Sequence, residues 1–114
     1  LHEFPYFETD INGISIKELE ARIHKELNIS SEFFLPLDPV KHGFTRYDVR
    51  LSPSIFKCMN KQPVPDYKWI CFEDLDKLAF SSGHRRIYQA IGKIINNGTF
   101  TPYNSSEAHT TLMK

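Results

Sequence analysis

A chain of 114 residues, 40% of them hydrophobic and 13% aromatic, buries roughly two-thirds of its unfolded surface and needs neither metal nor disulfide to hold it. That composition favours an aromatic-rich folded core over disorder, and no run approaches the ~18–20 apolar residues of a membrane span. Fourteen basic residues balance fourteen acidic ones, and this zero formal charge counts against a dedicated nucleic-acid binder, which usually carries a basic excess.

Residues 1–14 open with the aromatics Phe4, Tyr6 and Phe7 around Pro5 and predict a short edge strand ending in an Asn12-Gly13 turn. The next segment is the clearest helix of the chain. Ser15 and Glu18 form a capping box, and Ile16, Leu19, Ile23 and Leu27 follow at helical spacing as one apolar stripe. Residues 30–51, with two prolines and a glycine, read as a connector holding a short strand or turn through 44–49. Ser52 and Pro53 suit the N-cap and first position of a helix over 52–62, with Ile55, Phe56 and Met59 as its core face and Pro63 and Pro65 as its end.

Residues 67–71, rich in aromatic and β-branched side chains, predict a short strand. A helix over 72–80 carries Phe72, Leu75, Leu78 and Ala79 on one face, with Glu73 and Asp74 favoured at its N-terminal end. Two serines and Gly83 then predict a turn at 81–84. The last helix, 85–98, has Ile87, Ile91, Ile94 and Ile95 as its core stripe and stops at Asn97-Gly98. An alternating strand at 99–103 and a frayed tail at 104–114 complete the chain.

From residue 52 the predicted order is helix, strand, helix, turn, helix, strand. That order resembles the winged helix-turn-helix superfamily over residues 52–103, in pattern and spacing and without a diagnostic motif. The resemblance implies that the short first strand pairs with a later hairpin, the wing, and that the third helix is the recognition helix. A full wing needs two strands, yet the eleven residues after Tyr103 hold no second apolar one, so the wing is expected to be short or to borrow its partner strand. The expected architecture is a mostly helical α+β domain spanning 1–114. It comprises an N-terminal strand–helix lobe at 1–50, a winged-helix-like lobe at 51–103 and a tail at 104–114.

Two surfaces are candidates for function. On the last helix, Arg85, Arg86, Gln89, Lys93 and Asn96 share the solvent face, with His84 at its start and no acid between Ser81 and Gly98. Those residue types meet phosphates and base edges when a helix enters a major groove. The preceding helix, with Glu73, Asp74 and Asp76 against Lys77, opposes that reading unless its acids pair with Arg85 and Arg86. On the connector, Lys41, Phe44, Arg46, Tyr47 and Arg50 interleave cations with aromatics, the pattern of base stacking or of a protein–protein hot spot. The apolar edge at Phe4 and Phe7 is a further docking candidate.

Nothing points to catalysis or a cofactor. The five histidines lack metal spacing, there is no Gly-rich phosphate loop, and Cys58 and Cys71 read as a reduced pair, Cys58 packed in a helix beside Met59. Trp69, Phe33 and Phe34 read as core residues. Sequons at Asn28, Asn97 and Asn104 would matter only for an extracellular glycosylated domain. The expectation is a non-catalytic interaction module of a longer nuclear protein, working in transcription regulation, replication or chromatin assembly. Its partner is another protein of a nuclear complex, with duplex DNA as the alternative and neither membrane nor small-molecule substrate.

Overall fold

The computed structural model describes residues 1–10, 12–43, 48–98 and 110–114. In chain order the elements are α1 (Ile16–Leu27), β1 (Ser31–Pro36), β2 (Val40–Gly43), β3 (Asp48–Leu51), β4 (Ser54–Cys58), β5 (Lys68–Cys71), a 3₁₀ helix (Phe72–Lys77), α2 (Ser82–Asn96) and β6 (Thr110–Met113). Among the described residues the strands pair antiparallel in three two-stranded sheets, β1 with β4, β2 with β3 and β5 with β6.

Local chemistry explains the elements that formed where expected. The Ser15 hydroxyl accepts the Glu18 N–H at 3.2 Å and starts α1, and Asn28 ends it in the left-handed conformation (φ 56°), its own N–H donating to the His24 carbonyl. Gly13, at φ +74°, closes the turn by donating to the Asp10 carbonyl at 3.0 Å, while the Asp10 carboxylate accepts the Asn12 N–H. Strand β5 occupies the stretch predicted for it.

The domain is a small α+β unit and is not mostly helical. Residues 54–58, expected within a helix, are β4, and β1 lies inside the expected connector. Phe33 sits opposite Phe56 in this ladder, and their rings meet edge-on with centroids 5.7 Å apart. Spacing of Ile55, Phe56 and Met59 suits one helical turn as well as a strand, and the cross-strand aromatic pair decides between them. Met59 consequently stands 66% exposed, and Cys58 is exposed at the strand end, not packed in a helix core.

The helix over 72–80 is cut short as well. It is a 3₁₀ helix ending at Lys77, beyond which Leu78 is extended and Phe80 bridges His2. Residues 82–84, expected in a turn, are the first turn of α2, with Ser81 at the N-cap. Residues 110–113, expected to fray, form β6 and bury Leu112 and Met113. Residues 4–7 are not a strand. The expected strand at 99–103 lies outside the described residues.

Two core clusters hold these pieces together. Leu27, Ile29, Val64 and Leu112 form one, with Phe7, Ile23, Tyr67 and Trp69 packed against it. Leu75, Phe80 and Met113 form the other, joined by Phe4, Ile70, Phe72, Leu78 and Tyr88. Trp69 is half-buried on the first cluster as expected of a core residue, and its indole N–H donates to the Gln62 carbonyl at 2.9 Å. Neighbouring residues of β6 thus enter both clusters, so the end of the chain ties the two cores to one strand.

Candidate interaction surface

Burial along α2 follows its sequence. Gly83, His84 and Ile87 are buried, whereas Arg85, Arg86, Gln89, Lys93 and Asn96 are all exposed. The solvent face drawn from periodicity is therefore the solvent face of the folded chain. Its charge is not consumed by the acids of the 3₁₀ helix. Asp74 pairs with Lys77 at 3.3 Å, and among the described residues no ion pair joins Arg85 or Arg86 to Glu73 or Asp74.

Arg86 instead reaches across the fold. Its Nη1 donates to the Lys41 carbonyl at 2.9 Å, so α2 lies beside β2. Lys41 and Arg50 are direct partners in the β2–β3 ladder, and both are exposed. Of the connector candidates, this contact brings Lys41 beside the helix face. Phe44, Arg46 and Tyr47 lie outside the described residues. No sequence signal announces the junction, because 45 positions separate its partners and the acceptor is a backbone oxygen.

The N-terminal arm does not offer the apolar docking edge expected of it. Phe4 stacks on Phe80, with centroids 5.6 Å apart, and Phe7 packs on the first core under the Arg22 guanidinium, 4.8 Å from its ring. Tyr6 is the exposed ring of the segment, at 47%. The arm is held by its backbone. His2 donates to the Ala79 carbonyl at 2.7 Å and accepts from the Ser81 N–H, while Lys114 donates to the Glu3 carbonyl at 2.9 Å.

His84 completes this clasp and was missed as a structural residue. It is 5% exposed, and its Nδ1 accepts the Phe4 N–H at 2.9 Å, which places the ring proton of the neutral side chain on Nε2, 3.7 Å from the Glu3 carboxylate. Ser81 donates weakly to the same carboxylate at 3.5 Å. Serine, histidine and glutamate thus adjoin, yet the serine addresses the acid and not the imidazole. A nucleophile needs its base within hydrogen-bond reach, and here the imidazole's acceptor nitrogen is occupied by backbone.

Cysteine chemistry is equally subdued. Partial burial of the sulfur pushes the Cys58 thiol above its ordinary pKa, and the nearby Lys61 ammonium offsets only part of that rise. The residue as a whole is exposed, so its thiol is reachable but poorly ionised. Cys71, half-buried at the end of β5, is also a free thiol. Asn28 is exposed, and its side-chain amide donates to Gln62 at 2.9 Å. No described helix is long and apolar enough to cross a membrane.

Comparison with known proteins finds no matching family model, no matching curated protein and no matching solved structure.

Proposed function

We propose that this chain is a non-catalytic docking module that engages another protein through one composite surface, the exposed face of α2 together with the β2–β3 ladder. The observation that supports the reading is the Arg86–Lys41 contact, which sets β2 beside the exposed basic face of α2. The buried, backbone-bonded His84 and the poorly ionised Cys58 support the non-catalytic part. A nuclear setting, in transcription regulation or chromatin assembly, is part of the proposal and rests on the sequence pattern of residues 52–103 alone, whose expected first helix is the strand β4.

Duplex DNA is the second reading, favoured by the exposed run of Arg85, Arg86, Gln89, Lys93 and Asn96 with no acid among them. Against it stand the neutral net charge and the neighbouring 3₁₀ helix. Phe72 of that helix meets Tyr88 of α2 with centroids 6.4 Å apart, so exposed Glu73 and Asp76 stand on a segment packed beside the helix that would contact phosphate.

Site-specific photo-crosslinking in this chain tests the docking reading. A photoreactive residue at Gln89, on the α2 face, is expected to capture a defined protein partner, whereas the same residue at exposed Lys25 on α1 is not. Equal capture at both positions, or none at Gln89, refutes the assignment of this surface.

A further inference from the structure

We infer that the seat of the N-terminal arm also takes the arm of a second copy, so that two chains exchange residues 1–8 and form an arm-swapped dimer. The exchange is separate from the surface on α2 and β2 and follows from how the arm is held. Its fastenings run to the body of the fold. His2 bonds by its backbone to Ala79 and Ser81, Glu3 pairs by its backbone with Lys114, and the Phe4 N–H donates to His84 Nδ1. Phe4 stacks on Phe80, Phe7 packs on the first core beneath Arg22, and Arg22 Nη1 donates to the Glu8 carbonyl at 3.0 Å. An identical arm from a neighbouring copy makes the same contacts, which is the condition for an exchanged dimer.

The joint between arm and body is of the opposite kind. Thr9, Asp10, Asn12 and Gly13 are exposed, and among the described residues their hydrogen bonds stay within the turn. The Asp10 carbonyl accepts the Gly13 N–H at 3.0 Å, and the Asp10 carboxylate accepts the Asn12 N–H at 2.9 Å. At ~3.3 Å each, residues 9–15 reach ~23 Å when extended, enough to lead the arm onto an adjacent body. Phe4 and Phe7 lie against the two cores without belonging to their buried sets, so the arm lifts by a local opening that leaves both sets in place. Exchange thus sacrifices the turn and the freedom of two chains, and keeps every arm contact.

Gly13 sets the balance between the closed and exchanged forms. It closes the turn at φ +74°, and a Cβ built there meets no atom within 4 Å. A β-branched residue at this position therefore acts on the backbone conformation alone, which it holds poorly at positive φ. The strain of one left-handed residue weakens a closed turn about tenfold. A dimer opens two turns, so the effect enters twice and tightens the dimer about a hundredfold.

The test is photo-crosslinking in an equal mixture of light- and heavy-isotope chains, with a photoreactive residue at exposed Tyr6, beside sedimentation of the parent, Gly13→Val and Phe4→Ala. The Tyr6 ring lies 5.7 Å from His84 between centroids, so its crosslinks land at the start of α2. After incubation at millimolar concentration the parent is expected to form a dimer, about half of whose Tyr6 crosslinks join a light chain to a heavy one. Gly13→Val is expected to tighten that dimer about a hundredfold, and Phe4→Ala, which empties the ring's seat on Phe80, to abolish it. Crosslinks confined to single chains in the parent overturn the inference. So does a dimer that Phe4→Ala leaves intact, because another face would hold it. A folded Gly13→Val chain that dimerises no more tightly than the parent overturns it as well, since the turn would then not be the hinge.

Discussion

Replacing His84 by Phe tests how the N-terminal arm is fastened to α2. The substitution keeps an aromatic ring beside Phe4 and Tyr6, whose centroids lie 6.0 and 5.7 Å from the imidazole, but removes the acceptor of the Phe4 N–H. An unsatisfied buried donor costs about 1–3 kcal/mol, and partial burial of this bond places the loss in the lower part of that range, about 1–2 kcal/mol. Loss of the 3.7 Å approach to the Glu3 carboxylate, whose side chain is 33% exposed, adds little. For a domain of this size the entropy of unfolding near 60 °C converts each kcal/mol into about 4 °C, so the melting temperature falls by about 4–8 °C. Circular dichroism on heating reads that shift, and amide hydrogen exchange reads its location. The Phe4 amide is expected to lose protection in His84→Phe and to retain it in His84→Asn, whose amide oxygen stands near the place of Nδ1. A melting temperature within about 1 °C of the parent, together with an unchanged Phe4 amide, would refute the clasp.

Ending the chain at residue 109 removes Leu112 and Met113, 6% and 1% exposed, from the two cores. Losses of about 2–5 kcal/mol for each large core side chain approach the whole stability of a small domain, so the truncated chain is expected to show no cooperative melt. A sharp transition in that variant would show β6 to be dispensable. Ser15→Ala removes the acceptor of the Glu18 N–H and should cost about 1 kcal/mol, with faster amide exchange confined to the first turn of α1. Cys58 is expected to alkylate more slowly at neutral pH than an unperturbed thiol, because its raised pKa leaves less thiolate. Lys61→Gln should slow it further by removing the charge that favours ionisation, and mass spectrometry of the alkylated fraction against time measures both.

Several features of the candidate surface were legible because they depend on residues close in sequence. The exposed stripe of α2 follows from the 3.6-residue period, and the isoleucines opposite it leave Arg85, Gln89, Lys93 and Asn96 outward whatever packs below. Whether those cations were free or spent on the acids of residues 73–76 was not legible. That depended on the 3₁₀ geometry, in which Asp74 meets Lys77 three positions on. Proximity of Lys41 to the helix depended on a side chain crossing to a backbone oxygen, a contact without a compositional trace.

The sequence by itself determined the local elements whose stabilising groups lie within one turn of each other. These are the capped α1, the Gly13 turn at positive φ, the aromatic and β-branched β5, and the amphipathic body of α2. Only the tertiary structure decided the rest. Residues 54–58 are a strand because Phe33 supplies a cross-strand partner to Phe56, and residues 110–113 are a strand because β5 presents an edge and both cores accept their side chains. The start of α2 binds the N-terminal arm because His84 offers a nitrogen to Phe4, 80 positions away. Short apolar runs satisfy helical and extended spacing about equally, so the pairing energy from a distant segment chooses between them.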